Sequence, residues 1–222
     1  MIPKEYAIRG LHDYLAGNIL NRYALRGGTA IDLGTATGSL AVCLRGFGYS
    51  VTAVDISKEH FRADVPFVQM DLNQSDFSTR LGEGSFDFVN AVEIIEHLES
   101  PIWFLRNVRR LLKPDGLALV TTPNMDNAPS RLRFLLTGKL HMMDERVPNH
   151  ISPIFSDLFI REYLPRAGLT MVGHHLYPSN DYRVTRQRYA WALRIVARML
   201  PGHTLGDVHV FLLQPVMEES HL

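Results

Sequence analysis

Residues 31–38 read Ile31-Asp32-Leu33-Gly34-Thr35-Ala36-Thr37-Gly38. This apolar run ends in an acidic turn that is punctuated by glycine. It predicts a buried strand over residues 29–33, and the apolar spacing that follows predicts a helix over residues 39–45. A glycine turn between a strand and a helix lets a ligand approach the backbone closely, and it directs the free N–H groups of the helix into the same space. The stretch therefore predicts a ligand-binding site where the first strand ends.

The composition is that of an ordinary globular enzyme and bounds the partners of the chain. Its 222 residues are 46% hydrophobic and 21% charged, which is typical of one well-buried domain. Because 23 Lys and Arg residues balance 23 Asp and Glu residues, no net field attracts nucleic acid, and no nucleic-acid partner is expected. The single cysteine, Cys43, excludes a disulfide within the chain and favours a cytoplasmic location.

Two segments bear on membranes. Residues 1–10 have no apolar core, so they predict no signal peptide. Residues 189–200 are apolar but carry Arg194 and Arg198, and they are too short to span a bilayer. They predict an amphipathic helix at the protein surface, with contact to a membrane surface as the less favoured alternative. Stable membrane insertion is not expected, and the oligomeric state is left open.

Strand-like and helix-like segments alternate through the chain. Later strands are predicted at residues 50–54, 66–70, 86–92, 117–122, 169–176 and 208–216. Helices are predicted over residues 12–23, 101–112 and 156–167, with a short one beginning near Ser57. Residues 113–116 read Lys-Pro-Asp-Gly and are predicted to end the helix before them. Strands joined through helices pair in parallel by right-handed crossovers, which predicts an α/β fold: a doubly wound, mostly parallel sheet with a ligand crevice at the carboxyl ends of its strands.

The whole chain, residues 1–222, is predicted to form a single domain. Its core covers residues 28–122 and 151–216. Three further segments are predicted to cover the crevice, because long connections in compact domains are usually functional or disordered. These segments are residues 1–25, 124–150 and 178–206.

The glycine turn itself excludes two nucleotide-binding chemistries. A phosphate-binding P-loop requires a lysine directly after its last glycine, and Ser39 follows Gly38. A dinucleotide fingerprint would need glycines at positions 34, 36 and 39, and two of these positions hold Ala36 and Ser39. What remains is an Asp-x-Gly-x-x-x-Gly pattern.

With Asp32, Gly34 and Gly38, this pattern resembles the first motif of the class I S-adenosylmethionine-dependent methyltransferases, Asp/Glu-x-Gly-x-Gly-x-Gly. Ala36 departs from the middle glycine of that motif. In that family an acid after the second strand binds the ribose hydroxyls, and an acid after the third binds the adenine amino group. Asp55 and Asp71 stand at these places.

The resemblance extends to the later motifs, Phe86-Asp87-Phe88-Val89 and Leu111-Leu112-Lys113-Pro114-Asp115-Gly116. It implies a seven-stranded sheet with its last strand antiparallel, helices on both faces, and S-adenosylmethionine as cofactor. A carboxylate can accept hydrogen bonds from two vicinal hydroxyls, and a carboxylate-rich rim suits a positively charged sulfonium. The residues implied to bind the cofactor are Asp32, Gly34, Thr35, Ala36, Gly38, Asp55, Ile56, Asp71, Leu72 and Val92.

A second local resemblance concerns the chemistry of the site. Residues 92–101 read Val-Glu-Ile-Ile-Glu-His-Leu-Glu-Ser-Pro and resemble the Glu-x-x-Glu-His segment of quinone-biosynthesis O-methyltransferases. If the segment is helical, Glu93, Glu96 and His97 share one face. They are the predicted catalytic residues.

Three interpretations of this cluster are open. His97 is a general base, because imidazole titrates near neutral pH. Alternatively, the three side chains bind a divalent metal ion, as the resemblance to quinone O-methyltransferases and small-RNA 3′-end methyltransferases suggests, with His141 or His150 as a fourth ligand. In the third, Glu96 and His97 only cap and pack the following helix. No metal ligand is assigned.

The predicted function is transfer of a methyl group from S-adenosylmethionine to an oxygen, nitrogen or carbon atom of a small-molecule acceptor. The alternatives are a metal-dependent RNA 2′-O-methyltransferase, which the balanced charge disfavours, and a non-catalytic cofactor-binding member of the fold. Acceptor choice is expected to reside in the three covers. Four side chains there are candidates for binding an acidic acceptor, although a solvated surface role is favoured for each: Arg131, Arg133, Lys139 and His150.

Overall fold

Seven strands form one sheet in the computed structural model, which describes residues 3–23, 26–145, 147–184 and 187–216, with only the backbone at 187–189. The strands are β1 (Gly28–Leu33), β2 (Tyr49–Asp55), β3 (Phe67–Gln69), β4 (Phe86–Ala91), β5 (Leu112–Pro123), β6 (Leu169–Tyr177) and β7 (Val208–Pro215). Their order is β3-β2-β1-β4-β5-β7-β6, and β7 runs antiparallel to both of its neighbours while the other pairs are parallel. The predicted doubly wound sheet with an antiparallel last strand is confirmed.

The central strands are apolar because helices cover both faces of the sheet. Ile31 and Leu33 of β1 and Val89 of β4 are fully buried. Strands buried on both faces read as continuous apolar runs rather than as alternating patterns. The order of strands in the sheet changes direction between β1 and β4, and the carboxyl ends of these two strands open into the crevice.

Short caps and prolines set where several helices begin. The α-helices are α1 (Leu11–Tyr14), α2 (Ser39–Gly46), α3 (Phe77–Leu81), α4 (Pro101–Leu111), α5 (Ala128–Thr137), α6 (Ser156–Leu158), α7 (Leu164–Ala167) and α8 (Gln187–Met199). A π-helical turn (Leu15–Leu20) continues α1, and another (Phe159–Tyr163) joins α6 to α7. Before α4, the Ser100 hydroxyl accepts a hydrogen bond from the Trp103 N–H, as a helix N-cap does. No helix in the described ranges has both the length and the apolar character that crossing a bilayer requires.

The short helix predicted near Ser57 is wrong. The Asp55 carboxylate accepts a hydrogen bond from the Ser57 N–H, and the Ser57 hydroxyl accepts one from the Glu59 N–H. Side-chain bonds of this kind compete with the helical hydrogen bonds of the backbone and favour a turn.

Residues 113–116 were predicted to separate a helix from a strand, and they lie instead within β5. The pairing of β4 with β5 passes from Phe86–Leu112 to Phe88–Leu117, so residues 113–116 form a bulge. The Lys113 ammonium group fixes this bulge by an ion pair of 2.8 Å to Asp87. A bulge accommodates the proline because its missing N–H is not needed for the sheet.

Gly38 ends the turn before α2 in a conformation that suits only glycine. Its φ is +82°, and a Cβ there would stand 2.5 Å from the Ala63 methyl group and 2.8 Å from the Phe61 ring. The last position of the loop motif, residue 38, is thus a glycine because a side chain there would collide with the segment after β2.

We expect Gly38→Ala to lower the free energy of unfolding by about 2 kcal/mol, since it combines backbone strain with a collision. Gly46→Ala is the matched control: Gly46 ends the same helix, and a Cβ there meets nothing within 4 Å. That control is expected to be neutral or stabilising by about 0.5–1 kcal/mol. Urea denaturation measures both, and equal stabilities for the two variants would contradict this account of Gly38.

Candidate active site

A cavity of about 880 Å³ lies at the carboxyl ends of β1, β2 and β4. Its wall combines the glycine loop, the end of β2, the segment after β4, the N-terminal segment and the cover after α5. Its lining includes His12, Asp32, Gly34, Thr35, Ala36, Ser39, Asp55, Ile56, Val92, Glu93, Glu96, His97 and His150. One cavity thus brings the predicted cofactor loop and the predicted catalytic cluster together.

The Asp32 carboxylate stabilises the glycine loop through hydrogen bonds. Its carboxylate accepts hydrogen bonds from the Thr35 hydroxyl at 2.6 Å and from the Asn90 amide at 2.5 Å, and all three side chains are buried. Burial raises the pKa of Asp32, and the bonds from Thr35 and Asn90 act in the opposite direction. Because Asn90 pairs with Asp32 across β4 and β1, the carboxylate ties the loop to two strands.

Three residues of the loop are in the left-handed region: Gly34, Ala36 and, at the end of the loop, Gly38. Gly34 has φ +73°, and a Cβ there would stand 2.8 Å from the Ile94 side chain. Ala36 has φ +48°, which is strained for a residue with a side chain. Its N–H donates a hydrogen bond of 2.9 Å to the Asp55 carboxylate. Ala36, which stands where the resembling motif has its middle glycine, therefore keeps a glycine-like backbone conformation, and the hydrogen bond to Asp55 stabilises it.

Asp55 stands at the edge of the cavity with acceptor capacity left over. One of its oxygens accepts the Ala36 N–H and the other accepts the Ser57 N–H at 3.2 Å. A carboxylate offers about four acceptor positions, so it keeps room for two hydroxyl donors. The neighbouring Ile56 side chain is exposed and lines the same cavity, giving an apolar surface beside the carboxylate.

Three predicted cofactor residues do not line this cavity. Asp71 accepts a hydrogen bond from the Asn73 N–H at 2.9 Å and caps its own turn. Leu72 is buried in the hydrophobic core, and Gly38 acts through its backbone at the start of α2. The other seven predicted residues line the cavity: Asp32, Gly34, Thr35, Ala36, Asp55, Ile56 and Val92. The cofactor contacts of all ten stay predictions.

The segment after β4 does not form the helix on which Glu93, Glu96 and His97 would share one face. Only Ile95–His97 is helical, as a single 3₁₀ turn, and Glu93 has φ +51°. The reason is Thr121 of β5: its hydroxyl accepts the Glu93 N–H at 2.9 Å and donates to the Glu93 carboxylate at 3.0 Å. These two bonds tie Glu93 to the sheet, so the three predicted catalytic residues do not share a helix face.

The two glutamates favour the protonated state. Burial raises the pKa of Glu93 to about 7, and the Thr121 hydrogen bond opposes this. Burial, followed by the neighbouring Glu93, raises the pKa of Glu96 well above its ordinary value. Hydrogen bonding from the Thr122 hydroxyl and from the backbone opposes this rise, although neither carboxylate oxygen of Glu96 has a well-oriented partner among the described residues, which is costly for a fully buried polar group.

One ring nitrogen of His97 makes a hydrogen bond, and the other makes none with the described residues. Its Nδ1 donates to the Asn149 carbonyl at 2.9 Å, which leaves Nε2 as the unpaired nitrogen of the ring. The His150 ring packs edge-on against it with centroids 4.7 Å apart. Burial and then His97 lower the pKa of His150, so that ring stays neutral.

Glu96, His97 and His150 also form a group that is able to hold a divalent cation. Each offers one ligand atom, and these atoms lie within 4.8 Å of one another. Among the described residues this is the group with that geometry, and it contains neither Glu93 nor His141. A carboxylate and two imidazoles suit zinc or manganese.

Sequence reasoning missed His12 and Ser39. The His12 ring and the Ser39 hydroxyl are 2.7 Å apart and both line the cavity, one from α1 and the other from the start of α2. Burial lowers the pKa of His12. No spacing rule connects residues 27 positions apart in a chain, so only the fold shows this pair.

The predicted covers contribute unequally. Residues of the first cover and of 142–151 line the cavity, whereas no described residue of 178–206 does. Residues 1, 2, 24 and 25 of the first cover lie outside the described residues. Arg133 is paired with Asp144 at 2.5 Å, and Lys139 faces a second cavity of about 580 Å³. Of the four candidate acceptor-binding side chains, His150 alone lines the main cavity.

Comparison with known proteins agrees with this geometry. A family model described as methyltransferase domain matches residues 5–174. The ubiquinone biosynthesis O-methyltransferase of Xanthomonas campestris pv. campestris (strain B100) is 30% identical over 156 residues, which cover 63% of this chain and 64% of that enzyme. The chain therefore spans slightly less than two thirds of the length of such curated relatives.

Two solved structures share the fold. A SAM dependent methyltransferase from Archaeoglobus fulgidus superimposes with a TM-score of 0.60 at 15% identity, covering 93% of this chain and 95% of that one. A Burkholderia thailandensis 1,6-didemethyltoxoflavin-N1-methyltransferase, solved with 1,6-didemethyltoxoflavin and S-adenosylhomocysteine bound, superimposes with a TM-score of 0.59 at 18% identity, covering 94% and 80%.

The raised pKa of Glu93 predicts how stability changes with pH. At a pH below the ordinary pKa near 4.5, the Glu93 side chain is neutral in both the folded and the unfolded chain, and the free energy of unfolding is then highest. It falls as the pH rises through about 7, because the unfolded chain ionises at a lower pH than the folded one. Glu93→Gln stays neutral throughout. Between pH 5 and 8 we expect the native chain to lose on the order of 1–3 kcal/mol of unfolding free energy relative to this variant.

Urea denaturation across this pH range measures the difference. Glu99→Gln is the control, because Glu99 is exposed in the same segment and should leave the pH dependence unchanged. Parallel curves for the native chain and Glu93→Gln would show that Glu93 ionises normally in the folded state.

Proposed function

This chain belongs to the methyltransferase domain family, and we propose that it methylates an oxygen, nitrogen or carbon atom of a small-molecule acceptor with S-adenosylmethionine as the donor. The family match confirms the predicted class of enzyme. The proposal is carried by one observation: a single cavity contains the glycine loop, the Asp55 carboxylate and the Glu93–His97 segment.

The residues present fit the cofactor. Asp55 has acceptor positions for two ribose hydroxyls, and Ile56 offers an apolar surface for a base. The glycine loop exposes backbone where a Cβ at Gly34 would collide with Ile94. When bound, S-adenosylmethionine supplies a methyl group that its sulfonium already activates. The main task left to the protein is to position the acceptor and manage its proton.

His97 is the proposed general base. A hydroxyl or amine acceptor gives its proton to Nε2, while Nδ1–H keeps its bond to the Asn149 carbonyl and fixes the tautomer. Protonation turns the His97 ring into an imidazolium ion. The neighbouring His150 ring is neutral, so it repels this cation less than a second imidazolium ion would. With a pKa of about 7, the Glu93 side chain that lines the cavity is partly protonated near neutral pH and can donate a hydrogen bond in that form.

A metal-assisted form of the same reaction is the second candidate. It is favoured by the grouping of Glu96, His97 and His150 and by the two Glu96 oxygens that have no well-oriented hydrogen-bond partner among described residues. A cation held by these three side chains would stabilise the ionised Glu96 and would lower the pKa of an acceptor hydroxyl.

Asp55→Asn tests the cofactor site. Loss of charge-assisted hydrogen bonds to the ribose is expected to weaken binding of S-adenosylhomocysteine by about 1–3 kcal/mol, or roughly 5- to 150-fold. The control is Asp64→Asn, which removes an exposed carboxylate of the same region and should leave affinity unchanged. Isothermal titration calorimetry measures both, and unchanged affinity in Asp55→Asn would remove Asp55 from the site.

His97→Ala tests the chemistry. Without a base, turnover of a hydroxyl or amine acceptor is expected to fall about 100-fold or more while affinity for S-adenosylhomocysteine stays the same. Transfer of a radiolabelled methyl group to a small-molecule extract provides the assay, and Glu99→Gln is the control. Native turnover in His97→Ala would reduce His97 to a packing residue.

The same assay separates the two mechanisms. If His97 is the base, a chelator leaves native turnover unchanged. If a metal ion takes part, turnover is lost in the chelator and returns with Mn²⁺ or Zn²⁺, and Glu96→Gln abolishes that return. Label that appears in RNA rather than in small molecules would contradict the proposed acceptor class.

A further inference from the structure

An open groove of about 440 Å³ lies between the N-terminal helical segment and the end of β6. Its described lining residues are Tyr14, Gly17, Asn18, Asn21, Arg22, His175 and Ser179. We call it the α1–β6 groove. None of these residues lines the main cavity, so the groove is a separate surface of the protein.

The glycine in this groove is not explained by the protein alone. Gly17 lies inside the π-helical turn Leu15–Leu20, where glycine loses more conformational freedom than alanine. Its φ is outside the left-handed region, and a Cβ there would meet nothing within 4 Å. A glycine that neither the backbone nor the packing requires is typical of a place where a ligand approaches the backbone closely. The π-helical turn points the same way, because such turns are rare and frequent at functional sites.

The helical wall of the groove offers a positive charge and hydrogen-bond donors. Arg22 is exposed and has no acidic partner among the described residues. The Asn21 side-chain oxygen accepts a bond of 2.7 Å from Arg26, which leaves the Asn21 amide hydrogens as donors. The Asn18 amide uses one of its two hydrogens on the Tyr14 carbonyl at 3.3 Å. Because no acidic residue is among the described lining, the groove favours an anion that is rich in acceptor oxygens.

The opposite wall comes from β6 and the turn after it. The Tyr23 hydroxyl lies 2.9 Å from His175 Nε2, so Nδ1 is the ring nitrogen left for a ligand. Burial, and then the charge of the nearby Arg22, lower the pKa of His175, so this ring is neutral near pH 7. The Ser179 hydroxyl donates to the Leu176 carbonyl at 3.3 Å and keeps its oxygen as an acceptor. This wall therefore supplies uncharged polar groups of the kind that pair with hydroxyls.

We propose that the α1–β6 groove binds a sugar phosphate, with the phosphate group at Arg22 and Asn21 and the sugar over Gly17. A guanidinium group presents a planar fork of donors that matches two phosphate oxygens. The hydroxyl groups of the sugar pair with Asn18 and Ser179, which offer both donors and acceptors. A groove of this volume lies in the range of small-molecule sites and leaves room for more than a phosphate ion.

The groove shares a helical segment with the main cavity. His12 of α1 lines the main cavity beside Ser39, and Tyr14 of the same helix lines the groove. A sugar phosphate in the groove thus contacts the segment that presents His12 to the main cavity. The inference concerns binding alone and does not depend on the proposed methyl transfer.

Isothermal titration calorimetry of the full chain tests the proposal with three probes: ribose 5-phosphate, inorganic phosphate and ribose. Ribose 5-phosphate is expected to bind most tightly, inorganic phosphate more weakly and ribose most weakly, since the charge and the hydroxyl groups both contribute. Saturating S-adenosylhomocysteine should leave the binding of ribose 5-phosphate in place, because the groove and the main cavity have no lining residue in common.

Two variants change the groove, and each has a matched control. Gly17→Glu fills the groove and adds a negative charge, so it should lower the affinity for ribose 5-phosphate about tenfold or more. Gly46→Glu makes the same change at a helical glycine outside the groove whose Cβ also meets nothing within 4 Å, and it should bind like the native chain. Arg22→Gln should likewise lower the affinity about tenfold or more, whereas Arg110→Gln removes an exposed arginine elsewhere and should not.

Circular dichroism melting verifies that every variant is folded. The proposal would be overturned if neither ribose 5-phosphate nor inorganic phosphate bound, or if Gly17→Glu and Arg22→Gln bound ribose 5-phosphate like their controls. Displacement of ribose 5-phosphate by S-adenosylhomocysteine would also overturn it, since the probe would then occupy the main cavity. Inorganic phosphate that bound as tightly as ribose 5-phosphate would contradict the contacts proposed for the sugar.

Discussion

A buried carboxylate holds the functional end of the sheet together. Asp32 lies in β1 beside Asn90 of β4, and both of its carboxylate oxygens accept hydrogen bonds, one from the Thr35 hydroxyl and the other from the Asn90 amide. An ionised group in this position is costly unless hydrogen bonds compensate for the lost water, and each charged hydrogen bond contributes about 1.5–3 kcal/mol. The arrangement fixes the loop conformation in which Ala36 is left-handed and reaches Asp55.

The proposed catalytic segment after β4 differs, since hydrogen bonds compensate its buried acids less fully. Glu96 is fully buried with no well-oriented partner for its carboxylate among described residues, and the Glu93 carboxylate accepts a bond from Thr121. Both pKa values are raised, so near neutral pH the site is less negative than its sequence suggests. The Glu96 carbonyl also accepts the Ile151 and Ser152 N–H groups, which joins the end of the cover to the segment after β4.

Much of this architecture follows from the sequence, because strand burial and helix caps are local. The sheet, the loop and the position of Asp55 at the crevice depend on apolar runs and strand ends that can be read along the chain. Two failures have long-range causes: Thr121 holds Glu93 out of a helix, and Ser39 meets His12 only after folding. Two others are local, since the Asp55 carboxylate accepts the Ser57 N–H, and Asp71 accepts the Asn73 N–H and does not line the cavity.

The most direct test is a crystal structure with S-adenosylhomocysteine. The account predicts ribose hydroxyls within hydrogen-bond distance of the Asp55 carboxylate, a glycine loop unchanged around Asp32, and the sulfur on the side of the cavity that holds His97 Nε2. A ligand bound away from Asp55, or a loop that rearranges and releases Thr35 and Asn90 from Asp32, would contradict it.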